Sequence, residues 1–572
     1  MTTPTRTVKL AYSAWPTGRH ASAWRLPEAF NGGTVDPVYL TDTARAAERG
    51  LFDYYFMGNA ISSTPEAQLI WHNDVHKLEG FTVASYVAAV TQKIGLVVTV
   101  NSSYQDPFDT ARAIVSLDHL SRGRAGLNIV TGLEGIDAPA QNYGQIRHLA
   151  GDEKYRKAHE FISIINQLSD SWEDGYFRDD RASGVFVDAS KAHTIDFKGE
   201  FFSVRGPLNL PRPPQGQIPI VHAGGSESSF RYGGQYADIR FSPFVSTEWN
   251  IDYYAKVKSY LALFGRNPEE FHVIPGITFY VAGTDAEAHR KFREVQDLVV
   301  SDYAPAHVAT VLGRDLSAVD RKERLVDVLD DAEFEKNKWL RTALDAFGDE
   351  NVTFLDLFHY VSNRGHLNQP PVVGSGKKVA RWIADHFEAR AFDGIKLFPP
   401  YARGPLDAFV DLVIPELQRL GVYKTAYQAD TLRGHLGLPK PANRFSAPTA
   451  EAAAEWLHPK VFPFECPPSA NATGALAAKM SRASRRSVFR SPMVPSCPLW
   501  DAPAAENRRC CVWLRGSKRR AAAASPFMGL RSRGRPTVCG ICSRTTGSRC
   551  FRGVQSVETF SSDCDTPIAG RY

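Results

Sequence analysis

The stretch from Ile94 to Gly132 constrains the fold of this chain more than any other part of the sequence. It contains an apolar run of strand length, a polar exit, a helix opened by Asp106 and Pro107, and a second apolar run ending at Thr131. Both runs are continuously apolar rather than alternating, which is typical of strands buried on both faces in a parallel sheet. Since ligands bind at the carboxyl ends of the strands in parallel barrels, the polar residues at the two exits are the first site candidates.

The same alternation of strand and helix recurs along the chain. Eight apolar runs, each followed by a helical pattern, begin at Thr7, Leu51, Ile94, Ala125, Ile218, Ala237, His272 and Phe392. Eight such pairs predict an α/β fold over residues 1–445, a closed (β/α)8 TIM-like barrel rather than an open doubly wound sheet. Two stretches, about 174–216 and 303–373, break the pattern and are interpreted as insertions. Residues 422–445 follow as an extended arm.

The C-terminal part of the chain differs in character from the rest. From Pro467 onward there are 18 Lys and Arg against 5 Asp and Glu, and 49 against 57 before it, so the net charge of +5 is a property of this part. All eight cysteines lie at or after Cys466. We predict a linker at 446–466 and a disordered basic tail at 467–572, because this composition cannot bury enough apolar surface. CGIC at Cys539–Cys542 has no second ligand pair, so no metal is assigned.

Membranes and nucleic acids are not expected as partners. The chain has no run of about 18 apolar residues, and its amino terminus has no apolar targeting core. We therefore expect a soluble, cytoplasmic protein. The basic runs RRASRRSVFR and GSKRR are short and interrupted, with no predicted fold behind them.

Several long segments resemble one enzyme family. They are LEGFTVASYVAAVTQKIGLVVTVNSSY, PFDTARAIVSLDHLSRGRAGLNIVTG, IPIVHAGGSESS, DGIKLFPPY and FVDLVIPELQRLGVYKTAYQADTLRGHLGLPKPANRF. They are similar to segments of bacterial-luciferase-like, FMN-dependent monooxygenases of the nitrilotriacetate and dibenzothiophene-sulfone monooxygenase group. The resemblance covers roughly Val8 to Phe445.

This resemblance implies a two-component enzyme on a TIM-like barrel. Such an enzyme receives FMNH2 from a separate flavin reductase, reacts it with O2 to a flavin C4a-(hydro)peroxide, and oxygenates a small-molecule organic substrate. It would be a homodimer or homotetramer. The sequence agrees in one respect, since no G-x-G-x-x-G lies between a strand and a helix and no nicotinamide site is needed.

The loop after the fifth strand is the candidate phosphate site. Glycines allow close backbone approach and a helix start offers free N–H groups, so we assign the phosphate to the backbone with Gly225, Ser226 and Ser229. The resemblance adds Lys154 and Tyr155. The alternatives are that Ser226 is only a helix N-cap and that Lys154 and Tyr155 form an exposed first helical turn.

Residues at the exits of the second, third and fourth strands are the candidate ring contacts. The resemblance places the isoalloxazine over Gly58 and near Asn59 and Asn101. Thr131 is the fourth candidate, because it lies at the end of the fourth strand. Asn59, Gly132 and His222 depart from the residues common in the family. The alternative is that both asparagines satisfy loop backbone groups, as short polar side chains readily do.

Three residues are the candidate catalytic groups: His20, His366 and Tyr104. A histidine near neutral pKa can hold a proton for the reaction, and the resemblance places both histidines over the barrel mouth. His72 and His76 have i, i+4 spacing, with Glu79 beyond them, but the sequence is not H-E-x-x-H and no metal is assigned. We interpret Asp118, Arg122 and Arg124 as a structural ion-pair cluster.

Other classes of protein fit the sequence less well. An F420-dependent oxidoreductase of the same barrel superfamily and a non-catalytic flavin binder remain open alternatives. A metal-dependent hydrolase would need a His-x-His at the end of the first strand, where the chain has Tyr12, Ser13, Ala14 and Trp15. The aromatic residues near the predicted barrel mouth favour an apolar or aromatic substrate; they are Trp15, Trp24, Trp71 and Tyr104.

Overall fold

The protein is described from a computed structural model. The structure describes residues 6–20, 22–29, 35–63, 76–132, 137–298, 308–309, 312, 314–316, 318–336, 340, 351–362, 371–402 and 404–446. The candidates His72 and His366 lie outside these residues, as do the predicted tail and all but the first residue of the predicted linker.

The strands and helices follow the alternation read from the sequence. The strands are β1 (Lys9–Ser13), β2 (Tyr54–Met57), β3 (Gly95–Asn101), β4 (Ala125–Val130), β5 (Phe177–Asp180), β6 (Val185–Val187), β7 (Phe197–Lys198), β8 (Ser203–Val204), β9 (Ile220–Ala223), β10 (Ile239–Ser242), β11 (His272–Ala282), β12 (Val372–Ser375) and β13 (Gly394–Phe398). The helices are α1 (Pro37–Arg49), α2 (Gly80–Val90), α3 (Pro107–Leu120), α4 (Ala138–Asn142), α5 (Glu153–Ser169), α6 (Glu227–Tyr236), α7 (Thr247–Ser259), α8 (Asp285–Gln296), α9 (Leu325–Val328), α10 (Asp331–Lys336), α11 (Phe354–Ser362), α12 (Gly376–Glu388), α13 (Pro405–Leu412), α14 (Ile414–Arg419) and α15 (Leu432–His435).

Eight parallel strands close into a barrel. Their order is β1-β2-β3-β4-β9-β10-β11-β13, and β13 pairs back onto β1 with Lys9 opposite Gly394. These are the eight strands predicted from the sequence, so the predicted (β/α)8 barrel is confirmed. β12 lies outside the barrel and pairs with the last four residues of β11.

The strands are buried on both faces, which explains their continuous apolar runs. All seven residues of β3 are buried. One face of the barrel strands packs against the surrounding helices in the main core. The other face forms a separate interior cluster that includes Ala11, Tyr54, Val97, Val221 and Ile274.

The C-terminal arm fills the amino-terminal end of the barrel. The sequence predicts only an extended arm, but residues 432–435 form α15, and Leu432, Leu436 and Leu438 belong to the interior cluster. The fit is close, because a Cβ added at Gly95 or Gly126 would lie 2.6 or 2.7 Å from a Leu432 methyl group. The arm is therefore a part of the barrel core.

The two predicted insertions contain structure of their own. The first holds the antiparallel hairpins β5–β6 and β7–β8. Described residues of the second form a separate hydrophobic cluster with members including Val308, Leu325, Phe334 and Phe354. The proposed division into domains stays a prediction.

The helix ends show where local rules held and where they failed. Asp106 caps α3 through Oδ1, which accepts from the N–H groups of Phe108 and Asp109, as predicted. Glycine commonly supplies the left-handed cap after a helix, but Gly50 after α1 has a φ of −77° and Leu51 has the positive φ of 60°. The glycine is needed for space instead, because its Cβ would lie 2.7 Å from a Val410 methyl group.

The predicted ion-pair cluster at Asp118 is wrong. Arg124 turns instead to backbone carbonyls at the end of α2 and beyond, donating to Ala88, Thr91 and Ile94. A carboxylate oxygen of Asp118 accepts from Ala125 N at 3.2 Å and from Gln215 Nε2 at 2.7 Å. Burial raises the pKa of Asp118 to about 7.

An Asp118→Asn variant is expected to remove part of the pH dependence of stability. Because the folded pKa lies above the unfolded value of about 4, the contribution of Asp118 to stability is present below pH 4 and lost as the pH rises through 7. Urea unfolding should show the wild type losing about 2–3 kcal/mol more than the variant between pH 5 and pH 8. Parallel pH profiles of the two proteins would contradict this.

Among the described residues, no helix is both long and apolar enough to span a bilayer.

Candidate functional site

The predicted ring-contact residues lie together at the carboxyl end of the barrel. Gly58 and Asn59 follow β2, Asn101 ends β3, and Thr131 follows β4. The exits of β3 and β4 are joined, because Ser103 Oγ donates to Thr131 O at 2.9 Å. Their common position is what the parallel barrel requires, while their contacts with a cofactor stay predictions.

Gly58 and Asn101 have different surroundings at this end of the barrel. A Cβ at Gly58 would meet nothing within 4 Å, so the backbone there faces open space. Asn101 is 8% exposed, and its Oδ1 accepts from Ser103 N at 3.0 Å. Its carbonyl oxygen thus satisfies the loop, as the alternative interpretation held, and its amide nitrogen is the atom left for a ligand.

The loop from Gly224 to Ser229 forms a close turn between β9 and α6. Ser226 is the N-cap of α6, and its Oγ accepts from Ser229 N at 3.2 Å. Gly224 has a φ of +144°, and a Cβ there would lie 2.3 Å from Ser229 Oγ. The turn presents the exposed residues Gly225 and Ser226 at a helix N-terminus, which suits an anion.

Arg240 of β10 lies buried directly behind this loop. Its guanidinium donates to Gly224 O, to Ser229 O at 3.0 Å and to Ser229 Oγ at 3.0 Å, and its Nε donates to Tyr253 OH at 3.1 Å. It is 1% exposed, and in the described part of the chain it forms no ion pair with a carboxylate. A buried positive charge therefore supports the backbone of the loop from inside.

His222 fixes the position of Ser229. Burial, and then the charge of Arg240, lower the pKa of His222 to about 3, so the ring is neutral at pH 7. Its Nδ1 faces Ile129 O at 2.9 Å and must carry the proton, which leaves Nε2 to accept from Ser229 Oγ at 3.1 Å. Ser229 is fully buried, so its hydroxyl serves this network, and its predicted role toward phosphate rests on position alone.

The acidic neighbour of the loop points away from it. Glu227 accepts from Arg231 Nε at 3.1 Å and from the hydroxyl of Tyr260. Its charge is thereby directed along α6 and not at the turn.

The first turn of α5 lies beside the same loop. The hydroxyl of Tyr155 would lie 3.3 Å from a Cβ at Gly224, which places it next to the glycine turn. The Lys154 ammonium lies 5.8 Å from the Tyr155 ring. Ser228 Oγ donates to Asp152 Oδ1 at 2.6 Å and ties the starts of α5 and α6 together. The structure thus brings Tyr155 to the loop, with Lys154 next to it on α5, and their roles toward a phosphate stay predictions.

Tyr104 forms a pair with a histidine that the sequence did not single out. Its hydroxyl lies 2.6 Å from His148 Nδ1, and its ring stacks on Tyr143 with centroids 5.3 Å apart. Burial, and then Asp137, raise the pKa of Tyr104. The phenol therefore keeps its proton, and the hydrogen bond with His148 Nδ1 fixes the position of its hydroxyl.

His20 lies on the other side of the mouth, after β1. It is 1% exposed, and its backbone N–H donates to Pro400 O in the loop after β13. Its Nδ1 accepts from Ser22 N at 3.1 Å, so in the neutral ring the proton is on Nε2. Glu79, considered as a metal ligand, caps α2 by accepting from Phe81 N and Thr82 N.

Sequence reasoning missed Arg240 and His148. Arg240 interrupts an otherwise apolar strand, IRFS, and a charged residue at a buried strand position is a signal that was available. His148 lies in the loop before α5 and has no such pattern. It fills the space beside Gly132, where a Cβ would lie 2.6 Å from its ring.

A Gly224→Ala variant is expected to lose stability. The new Cβ would collide with Ser229 at a φ that L-residues rarely adopt. Gly225→Ala is the matched control, since a Cβ there meets nothing within 4 Å. Thermal unfolding of the two apo variants should show a lowered Tm for the first only, and an equal effect would contradict this account of the turn.

The sequence of the chain assigns it to the luciferase-like monooxygenases. Residues 18–353 match the family model described as luciferase-like monooxygenase. The chain belongs to this family, which uses reduced flavin, and is a monooxygenase. The predicted family and enzyme class are confirmed.

Relatives within the family cover nearly the whole barrel. The chain is 35% identical to the N-acetyl-S-(2-succino)cysteine monooxygenase of Bacillus subtilis over 78% of this chain and 100% of the relative. It is 35% identical to nitrilotriacetate monooxygenase component A of Aminobacter aminovorans, covering 76% and 96%. Among solved structures, DmoA of Hyphomicrobium sulfonivorans aligns with a TM-score of 0.69 and 27% identity over 79% of this chain and 96% of that one.

Proposed function

We propose that this chain is the oxygenating component of a two-component monooxygenase. It binds FMNH2 supplied by a separate flavin reductase and, with O2, oxygenates a small organic substrate. We further propose a cytoplasmic location and, from the resemblance, a homodimer or homotetramer.

The glycine turn backed by Arg240 carries this proposal. A phosphate needs N–H donors and positive charge, and the start of α6 offers both. Of the two carboxylates nearby, Glu227 faces Arg231 and Asp152 accepts from Ser228 Oγ. Open space at Gly58 and Gly225 leaves room for a ring and its phosphate. The residues present therefore fit FMN better than a flavin without phosphate.

Reduced flavin, when bound, supplies the electrons that activate O2. The residues of this chain would hold and orient the flavin. The turn at Ser226 would bind the phosphate, and the amide of Asn101 would bind a polar edge of the ring. Tyr104, kept protonated and oriented by His148, would hold a proton at its hydroxyl at the rim. His20 would hold one at Nε2 on the opposite side.

The test compares FMN with riboflavin, which lacks the phosphate. Anaerobic titration should show that the wild type binds reduced FMN more tightly than oxidised FMN and more tightly than reduced riboflavin. A Ser226→Ala variant should lose about tenfold of the preference for FMN over riboflavin, since one charge-assisted hydrogen bond contributes about 1.5 kcal/mol. Oxygen uptake should require a reductase. A wild type that binds neither form of FMN would overturn the proposal.

A further inference from the structure

A lysine lies unpaired inside the barrel. Lys396 is the third residue of β13, with Ala11 and Gly276 opposite it on the neighbouring strands. It is 3% exposed, and its ammonium group lies 3.6 Å from the Phe241 ring centroid, 3.7 Å from that of Phe56 and 5.4 Å from that of Phe398. Within the described residues, no carboxylate faces it and it forms no hydrogen bond.

Such a position is unfavourable for a charged amine. Removing an ammonium group from water without a partner costs several kcal/mol, which cation–π contacts with phenylalanine offset only in part. Burial, and then the nearby charge of Arg19, hold the pKa of Lys396 well below its usual value. Arg19 is the charged group that acts on it, while the strands beside and across from it present Ala11, Gly276 and aromatic rings.

The aromatic residues around Lys396 continue toward the barrel mouth. Phe241, which lies against the amine, is partly exposed. Phe398 also contacts Trp15 edge to face at 6.2 Å, and the Arg19 guanidinium lies 4.9 Å from the Phe398 ring. A second cation, Lys77, lies 4.7 Å from the Trp15 ring. This part of the mouth is therefore apolar at its walls and positive in potential.

The candidate flavin-binding residues lie at a different part of the barrel mouth. They follow β2, β3, β4 and β9, whereas Lys396 and Arg19 belong to β13 and the loop after β1. A ligand here would lie next to a flavin rather than in its place.

We propose that Lys396 binds a carboxylate of the substrate, which is an organic anion, and that the amine takes up one proton from solvent as the anion enters. This rests on the proposed function, since it names the substrate class of the same mouth. Entry of the anion supplies the partner that the buried cation lacks, and the phenylalanine rings exclude water from the pair. An anionic substrate differs from the apolar one suggested by the aromatic residues alone.

The test uses succinate and dimethyl succinate as non-reacting probes with the full chain. Calorimetry should show succinate binding to the wild type, with uptake of about one proton, read from the difference between Bis-Tris and Tris buffers at one pH. Lys396→Met should weaken the binding of succinate at least tenfold and change the affinity for reduced FMN by less than twofold. Lys256→Met, at an exposed lysine of α7, should change neither.

Each outcome bears on the proposal. Equal binding of the ester, no proton uptake, or unchanged succinate affinity in Lys396→Met would overturn it. So would a variant that loses reduced FMN while keeping succinate, because the amine would then serve the flavin. Should the variant fail to fold, the proton count of the wild type decides. If the wild type itself does not bind reduced FMN, it is the proposed function that is overturned.

Discussion

An Arg240→Met protein is expected to lose about 100-fold or more in affinity for reduced FMN. The substitution removes the donors to Gly224 O and to both oxygens of Ser229, so the turn that would bind the phosphate is no longer held. Hydrogen bonds to a charged group contribute about 1.5–3 kcal/mol each, and 100-fold in Kd corresponds to about 2.7 kcal/mol. Anaerobic fluorescence titration with reduced FMN measures the effect.

The loss should be specific to the phosphate. Reduced riboflavin should bind the variant and the wild type with similar affinity, because the ring contacts lie on other strands. Lys256→Met is the control, since Lys256 is exposed and its ammonium lies 4.7 Å from the same Phe230 ring that the Arg240 guanidinium contacts. Equal losses for FMN and riboflavin would show that Arg240 stabilises the fold and not the phosphate turn.

An Asp53→Ala protein is expected to lose about 3–5 kcal/mol of unfolding free energy. Asp53 is fully buried, pairs with Lys424 of the arm, and accepts from Leu10 N at 2.7 Å. Its removal leaves a buried lysine and a backbone N–H without a partner. Chemical denaturation at pH 7 measures the loss, and Asp407→Ala, which breaks an exposed pair with Arg49, should cost at most about 1 kcal/mol.

The same carboxylate gives a pH signature. Burial alone would raise the pKa of Asp53, but Lys424 and Lys9 outweigh it and the pKa lies below its usual value. The stability that it contributes is therefore present above the unfolded pKa of about 4 and is lost as the pH falls through the folded value. The wild type should lose its advantage over Asp53→Ala in acid, and a constant difference down to pH 2 would contradict this.

The strands of the barrel could be predicted because they are buried on both faces. Continuous apolar runs such as GLVVTVN leave little choice of structure, and their number implied closure. Helix starts with a capping aspartate were equally clear. The break between α13 and α14 also has a local signal, because Pro415 lacks an N–H donor.

Local sequence patterns could not predict the contacts between residues that are far apart in the chain. The segment that holds Leu432, Leu436 and Leu438 is too short to show a hydrophobic period. The sequence therefore does not predict that these leucines fill the barrel. Arg240 and Lys396 are visible as charges in apolar strands, but only the structure shows that one supports a turn and the other lies among phenylalanines. The surroundings of Asp118 were predicted wrongly because Arg124, near it in sequence, donates to backbone carbonyls instead.

The position of the arm has a consequence for biosynthesis. The barrel interior is completed by leucines that leave the ribosome after all eight strands. Until residue 438 emerges, the amino-terminal end of the nascent barrel is expected to stay open and to expose the apolar residues Tyr54 and Val97 to solvent. Chaperone binding to stalled chains should therefore persist up to that point in translation and fall once the plug has seated.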